Sequence, residues 1–543
     1  MKEEVGMKRR GPTWALVALA ATGIVAVSAT SSVAAENLWE NRYGLTGGTT
    51  ASAAGEVTLD PLEAGPYVNP HGVGQVLYGA YYDVRQLDGD AQFANIQILN
   101  NNTNNMGLGN CGDEDFDSGN DGSSCYNKDG GILAKIRFRD AVNSVEVLDF
   151  NIALSCGEVW AAQVRLNDTT GVPNVRSIYP IATSISGSSI TTSNVLDGAG
   201  RDFANVVPTA DMARGYFEVF AMESLPCEPI DGEVTLEGDV WNRGSEFVND
   251  RTPTNALSGE TYLARVAAGV SHNYNLTAIS RFVRPLGGPI TPGNPLATED
   301  PNIEDCVAYK FKAGGDYMMD PPDLLNASEC VSQVNMALSK NRLNGQYDVE
   351  AATAGQTFYA INLPTKRITC RGGVAAIPPY QCQTNPVGVD PPTNGEEITC
   401  TIYDRLEHYV TEDDPIFSPA PPNAKCYLPY ELSIIEVVNG PTNVHSSRAD
   451  YALSSASLPE GESGWIDLDL ARTPEGGVVH SEVFADGLTH NIQGIFVGGY
   501  VGLPAIALEL QEFQNDNPAV AGTYGNTVPM ISETSYILPG NQS

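Results

Sequence analysis

Three features of the sequence predict a mainly β fold: an antiparallel sandwich-like body with long disulfide-tied loops and one or two short helices. Short apolar stretches follow one another with period-two alternation and no helical period between them. Gly (54) and Pro (35) are abundant, which favours turns over long helices. Ten cysteines supply enough covalent ties to hold long loops against such a body.

The elements run in order from Tyr67. Val73–Val84 and Phe93–Leu99 read as strands flanking a polar turn at Asp88-Gly89-Asp90. In Ile132–Arg139, Ile132, Ala134, Ile136 and Phe138 share one face, and Lys135, Arg137 and Arg139 share the other. Glu146–Leu154 places Leu148, Phe150, Ile152 and Leu154 together, and Val159–Leu166 follows a Ser-Cys-Gly turn. The middle is richer in Pro and Gly, with long loops expected at Arg284–Pro301, Ile377–Thr393 and Pro415–Pro429. One helix is expected over Ala327–Asn341, capped by Asn326, with Val331, Val334 and Leu338 on its apolar stripe and Gly345 as its stop. A second is expected over Thr261–Val270. Strands return at Glu431–Val438, Gly464–Leu470 and Ile495–Phe513.

The domain organisation that follows is a signal peptide (1–35), an Ala-, Gly- and Thr-rich extended arm (36–66) and an N-terminal β-sandwich portion (67–228). A loop-, Cys- and Pro-rich insertion (229–430) and C-terminal strands completing the β body (431–543) come after it. The signal reading rests on Lys8, Arg9 and Arg10, the apolar run Trp14–Val27, and small residues from Ser31 to Ala35, which puts the mature start at Glu36. That run is shorter than the roughly 18–20 residues a membrane span needs, so no span is expected after cleavage. The expected location is secreted, at the cell surface or outside the cell, with the periplasm as the alternative.

With 66 acidic against 30 basic residues, the formal charge is −36. A chain so poor in cations is a poor partner for a nucleic-acid backbone. Such a charge bears on solubility and self-repulsion rather than on fold.

The string Asn69-Pro70, Gly72, Gly74-Gln75-Val76-Leu77 and Tyr81-Tyr82 with Val84 is followed by Lys135, Arg137-Phe138-Arg139 and Asn143-Ser144. Glu146 through Asn151, Leu154-Ser155 and Val159-Trp160 continue it, and Gly502 through Ala507 closes it. Together these resemble a family of secreted proteobacterial β-rich proteins without an assigned activity. The resemblance covers about 100 residues near the start and about 50 near the end. It implies export and one β-rich body, and it brings no catalytic residues.

All ten cysteines (Cys111, Cys125, Cys156, Cys227, Cys306, Cys330, Cys370, Cys382, Cys400 and Cys426) lie after the predicted signal. An even count in an exported chain reads as a disulfide set, and pairing in sequence order is expected. Cys111–Cys125 and Cys370–Cys382 are favoured because each closes a short polar loop. Zinc ligation does not fit, because no C-x₂-C pair is present.

Between Cys111 and Cys125, Asp113, Asp115, Asp117, Asn120 and Asp121 alternate with glycines, a donor set that suits calcium. It is not an EF-hand, since Ser118 and Ser124 stand where Gly and a bidentate Glu belong. A solvated acidic loop closed by a disulfide gives the same pattern.

Asp467 and Asp469 share a strand face, as glycosidase carboxylates can, but polar-out alternation produces the same spacing. Glu412-Asp413-Asp414 reads as a solvated turn. The six His (71, 272, 408, 445, 480 and 490) do not form a recognisable hydrolytic or metal motif, and no phosphate or dinucleotide loop is present. Tyr78, Tyr81 and Tyr82 suit either a sugar-stacking platform or the core, and the face that Tyr78 and Tyr82 share with Val76 and Val84 favours the core.

The expected function is therefore non-enzymatic: an exported cell-surface or extracellular structural protein, self-associating or binding surface components, as a fibre or surface-layer subunit. The alternative is a soluble secreted binding module for polysaccharide or calcium. A secreted hydrolase is a third reading without a motif behind it.

Overall fold

The computed structural model describes residues 67–102, 129–227, 240–242, 255–280, 334–364, 396–411, 417–471, 480–483, 498–514 and 523–537, with short gaps inside these ranges. Strands dominate them, and the sheets are antiparallel except where Leu432–Val438 runs parallel to Tyr451–Ser454. The signal segment, the arm and the acidic loop lie outside the described residues.

The first sheet has nine strands, in the order Tyr67–Val68, Thr277–Ser280, Val76–Asp83, Arg214–Pro226, Asp129–Asp140, Glu146–Leu154, Ile181–Ser186, Ser189–Ser193 and Val240–Asn242. The second has six: Arg201–Asp202, Pro173–Arg176, Val159–Leu166, Gln92–Asn100, Leu257–Arg265 and Val270–Asn275. The chain passes repeatedly from one to the other. Val76–Asp83 and Gln92–Asn100 are both strands, yet they sit in different sheets. Between them Asp90 accepts hydrogen bonds from the backbone N–H groups of Ala267 and Ala268, which ties the connection to the far end of the second sheet.

Alternation decides what fills the space between these sheets. Phe138 lies 5.7 Å from Phe217 and 5.2 Å from Phe203, and Phe150 reaches Trp160 of the second sheet at 5.6 Å. Such tilted and edge-on ring contacts add to burial itself. Gly79 makes this packing possible, because a Cβ there would lie 2.0 Å from the Phe217 ring.

The third sheet has five strands (Tyr409–Thr411, Thr399–Asp404, Ser463–Asp469, Arg342–Asp348, Ile531–Glu533) and the fourth six (Phe417–Ser418, Tyr451–Ser454, Leu432–Val438, Gln356–Asn362, Ile506–Gln514, Thr523–Pro529). The fourth sheet is the hinge of the architecture. On Gln356–Asn362, as on any strand, successive residues point to opposite faces.

 Phe358 and Ala360 therefore join the first core, while Tyr359 and Ile361 join a second core shared with the third sheet. Leu432–Val438 does the same, sending Leu432 and Ile434 one way and Ile435 and Val437 the other. One sheet is thus the common wall between both cores. Leu432 donates its N–H to the Ala141 carbonyl, and Asn362 Nδ2 donates to the Ala80 carbonyl, so backbone polar groups are matched across the joint.

Two disulfides fall among the described residues, Cys156–Cys227 and Cys400–Cys426, both in the expected sequence order. The first closes a separation of 71 residues, a length at which loop entropy in the unfolded chain contributes about 4 kcal/mol. The other six cysteines, including Cys111, Cys125, Cys370 and Cys382, lie outside the described residues.

Three local expectations are corrected. Thr261–Val270 is not a helix: Leu257–Arg265 is a strand paired on both sides, to Gln92–Asn100 and to Val270–Asn275. Its apolar spacing fits both periods over so short a run, and flanking strands decide between them. Within Ala327–Asn341, Val334, Ala337 and Leu338 are helical, but the helix stops at Leu338 because Ser339–Lys340 pairs with Leu503–Pro504. Gly345 stands inside a strand rather than at a helix stop, where a Cβ would meet the Tyr359 ring at 2.4 Å.

The shared sheet predicts cooperative unfolding. Phe358→Ala is expected to cost about 3–5 kcal/mol and to lower one calorimetric transition common to both cores. Two separated transitions in the native protein, with only one moved by the substitution, would contradict this architecture.

Candidate functional site

Three groups of polar or aromatic side chains stand out, two closed and one open. The first closed group lies on the first sheet. Lys135, Arg137 and Arg139 alternate with the interior residues of their strand, yet all three are buried. Neighbouring strands supply their counter-charges. Lys135 meets Asp149 at 2.7 Å, Arg137 meets Glu146 at 2.5 Å, and Arg139 Nε donates to Glu218 at 3.0 Å. Arg139 also donates to the Ser144 carbonyl, and Ser144 has the left-handed backbone (φ 52°) that brings this carbonyl inward.

The second closed group lies where the fourth sheet meets the first two. Asp83 is held by two hydrogen bonds from Arg85 (3.0 and 2.8 Å) and one from the Tyr81 hydroxyl (2.8 Å). Burial alone would raise the Asp83 carboxyl, but Arg85 and Arg448 outweigh it and hold it below the usual carboxylate range. The same burial, with Asp83 beside it, pushes the Tyr81 hydroxyl up to about 12.

Arg448 lies over the Phe358 ring at 4.8 Å and donates to Glu512, which also receives Arg265 at 2.7 Å and faces His272 Nε2 at 3.2 Å. Burial raises Glu512, yet Arg448, His272 and Arg265 bring it down to about 2. Burial lowers His272 against the pull of Glu512, and its Nδ1 faces both the Thr527 hydroxyl (3.0 Å) and the Asn526 carbonyl (3.2 Å). Beside this group is a cleft of about 130 Å³ lined by Leu87, Arg265, Gln356, Phe358, Ser446, Ser447 and Arg448. Its two guanidinium groups are already compensated by Glu512, so the group acts chemically as a charge-paired joint.

The third group is open. Sheet register sets Tyr409 beside Tyr403, Tyr403 beside Trp465, and Trp465 beside Gln346. Tyr403 and Trp465 are stacked with centroids 4.9 Å apart, and Tyr409 lies 5.8 Å from Tyr403 and is 63% exposed. The next rows on this face carry Thr401, Asp467 and Asn344, then Thr399, Asp469, Arg342 and Glu533. Arg342 Nε meets Asp467 at 3.1 Å. Burial raises the Asp467 carboxyl, Arg342 opposes that, and Asp469 and Glu533 add to it. At one end of the face, Asp404 accepts from His408 Nδ1 at 2.8 Å and from three backbone N–H groups, of Leu406, His408 and Glu460. Glu407, with φ 67°, makes the tight turn between them.

Asp467 and Asp469 thus share the strand face expected from their spacing, half-buried, with Arg342 paired to Asp467 and opposite Asp469 in the register. Tyr78, Tyr81 and Tyr82 are all core residues. Asp113, Asp115, Asp117, Asn120, Asp121 and Glu412-Asp413-Asp414 lie outside the described residues, as does His490. Among the described residues, no cluster of three or more His, Cys, Asp or Glu has the geometry of a metal site, and no helix is long and apolar enough to cross a membrane. The closed joint and the open aromatic row were both missed in the sequence. Their only sequence signal is period-two spacing in Thr399–Tyr403 and Trp465–Asp469, and the pairing of these distant strands is a tertiary fact. The chain matches no protein-family model, no curated protein and no solved structure.

Two titrations follow. Glu512 has a folded pKa below its ordinary value, so its stabilising contribution is complete above about pH 4.5 and is lost as pH falls through about 2. Glu512→Gln is expected to cost about 3–5 kcal/mol at pH 7, with the gap from the native protein narrowing below pH ~4 in denaturant titrations. Glu509 behaves oppositely: burial raises it to about 7, against the pull of the Gln346 N–H. Its folded pKa exceeds the unfolded value, so its contribution is complete below about pH 4.5 and is lost as pH rises through about 7. Glu509→Gln is expected to raise stability at pH 8 by about 1 kcal/mol and to leave it nearly unchanged at pH 5.

Proposed function

We propose that this chain is an exported, non-enzymatic structural protein of the cell surface or extracellular space, able to assemble into a fibre or surface layer. The observation that carries the proposal is the centre of the fourth sheet, where Gln356–Asn362 and Leu432–Val438 are buried on both faces, which makes two β-sandwich cores depend on one wall. A body of this kind transmits load through strands and side-chain packing rather than through a flexible linker. The disulfides point to an oxidising, extracytoplasmic location, in keeping with the export signal read at residues 1–35.

The third sheet ends in a short strand, Ile531–Glu533, whose three residues are all exposed. An exposed edge offers unpaired backbone groups to an added strand. The arm at 36–66 of a neighbouring copy is the proposed donor, and calcium at Asp113–Asp121 a proposed stabiliser of contacts between such acidic copies.

Electron microscopy of the native extracellular fraction, with and without EDTA, tests this. Filaments or a lattice carrying the polypeptide are expected, together with loss of assembly when residues 36–66 are deleted. Dispersed single particles under all conditions would refute the structural reading.

A further inference from the structure

We infer that the exposed face of the third sheet is a binding site for a neutral polysaccharide. Three aromatic side chains from three adjacent strands, Tyr409, Tyr403 and Trp465, stand in one row across this face. The row begins at the edge strand, where Tyr409 is 63% exposed, so a ligand can reach the ring without a conformational change. Tyr403 and Trp465 lie face to face at 4.9 Å and brace each other, so Tyr409 presents the open ring of the row, and an aromatic ring carries partial negative charge on its face. The C–H groups on the flat side of a pyranose carry partial positive charge, and stacking on such a ring removes apolar surface from water on both partners.

What surrounds the row supplies the other half of sugar chemistry. Hydroxyl groups around a pyranose rim need acceptors and donors at the level of the ring plane. Gln346 continues the aromatic row, and Thr401, Asp467 and Asn344 form the row beside it. Asp467 and Asp469 offer carboxylate acceptors, and Arg342 offers donors while 43% exposed at its side chain. Apolar stacking flanked by such groups is unlike the apolar patch of a protein–protein core, where charged residues are depleted.

Charge selects the class of glycan. The face carries Asp467, Asp469 and Glu533 against Arg342, on a chain of net charge −36. Uronate and sulfate polymers are therefore repelled, and uncharged glucans or N-acetylhexosamine polymers are accepted. The inference goes beyond the structural role proposed above and does not depend on assembly: a monomer presents the same face.

Indole fluorescence reads the site once Trp465→Phe isolates its signal, since the other indoles of the mature chain are Trp160 and Trp241, buried in the first core, and Trp39, outside the described residues. The full-length mature protein would be titrated with cellohexaose, laminarihexaose and chitohexaose, with polygalacturonate as the anionic control, and followed in parallel by affinity electrophoresis in gels containing the corresponding polymers. At least one neutral glycan is expected to bind and to change the indole emission. Tyr409→Ala is expected to weaken that binding tenfold or more. Trp465→Phe, which keeps a ring, is expected to retain binding and lose the fluorescence change. Leu406→Ala, equally exposed but off the row, is expected to match the native protein, which separates loss of the site from loss of the fold. Failure of all three neutral glycans to bind, equal binding of polygalacturonate, or binding indifferent to Tyr409→Ala would each overturn the inference.

Discussion

Two-sided burial of the fourth sheet is the constraint on which the rest of the structure depends. A strand with one wet face leaves every second residue in water, but in Gln356–Asn362 and Leu432–Val438 even the polar Thr357, Asn362, Ser433 and Glu436 are buried. Phe358 and Ala360 face one core while Tyr359 and Ile361 face the other. Because side chains alternate with a period of two, a one-residue slip would exchange the contents of both cores at once. Register is therefore specified twice over, and each core is stable only if the other is correctly filled.

The chain also buries part of its scarce supply of cations, within the first sheet and at the joint with the fourth. Lys135, Arg137, Arg139, Arg214 and Arg448 are all buried in a protein that has only 30 basic residues against 66 acidic ones. Each has a carboxylate partner: Asp149, Glu146, Glu218, Asp450 and Glu512. Low local dielectric makes such pairs costly to break even where their net contribution is small. Because each buried cation takes a carboxylate with it, the remaining surface keeps the net charge of −36, which favours solubility and repels other copies unless specific contacts or bound cations intervene.

The closed joint and the open third sheet divide the polar chemistry between them. At the joint, Glu512 is surrounded by Arg448, Arg265 and His272, and this compensation leaves little for a ligand to gain. On the third sheet, strand pairing and ring contacts with Tyr403 hold Tyr409 and Trp465 in place beside Gln346, and Tyr409 is open to solvent. A rigid strand platform fixes the spacing of such groups without a cost in loop ordering on binding.

Periodicity by itself determined that this chain forms strands and which residues share a face, and the even cysteine count pointed to a disulfide-tied fold. Lys135, Arg137 and Arg139 were legible as one face of one strand, and Asp467 and Asp469 as another. Over Thr261–Val270 the same local pattern was ambiguous, and pairing with Gln92–Asn100 made it a strand. Only the tertiary structure decided what covers each face: cations that a single strand would show to water are buried with carboxylates, while Trp465 and Tyr403, from segments some sixty residues apart, meet on an open sheet. The physical reason is that alternation is set within a strand by backbone geometry, whereas burial is set by a second sheet whose arrival no local sequence encodes.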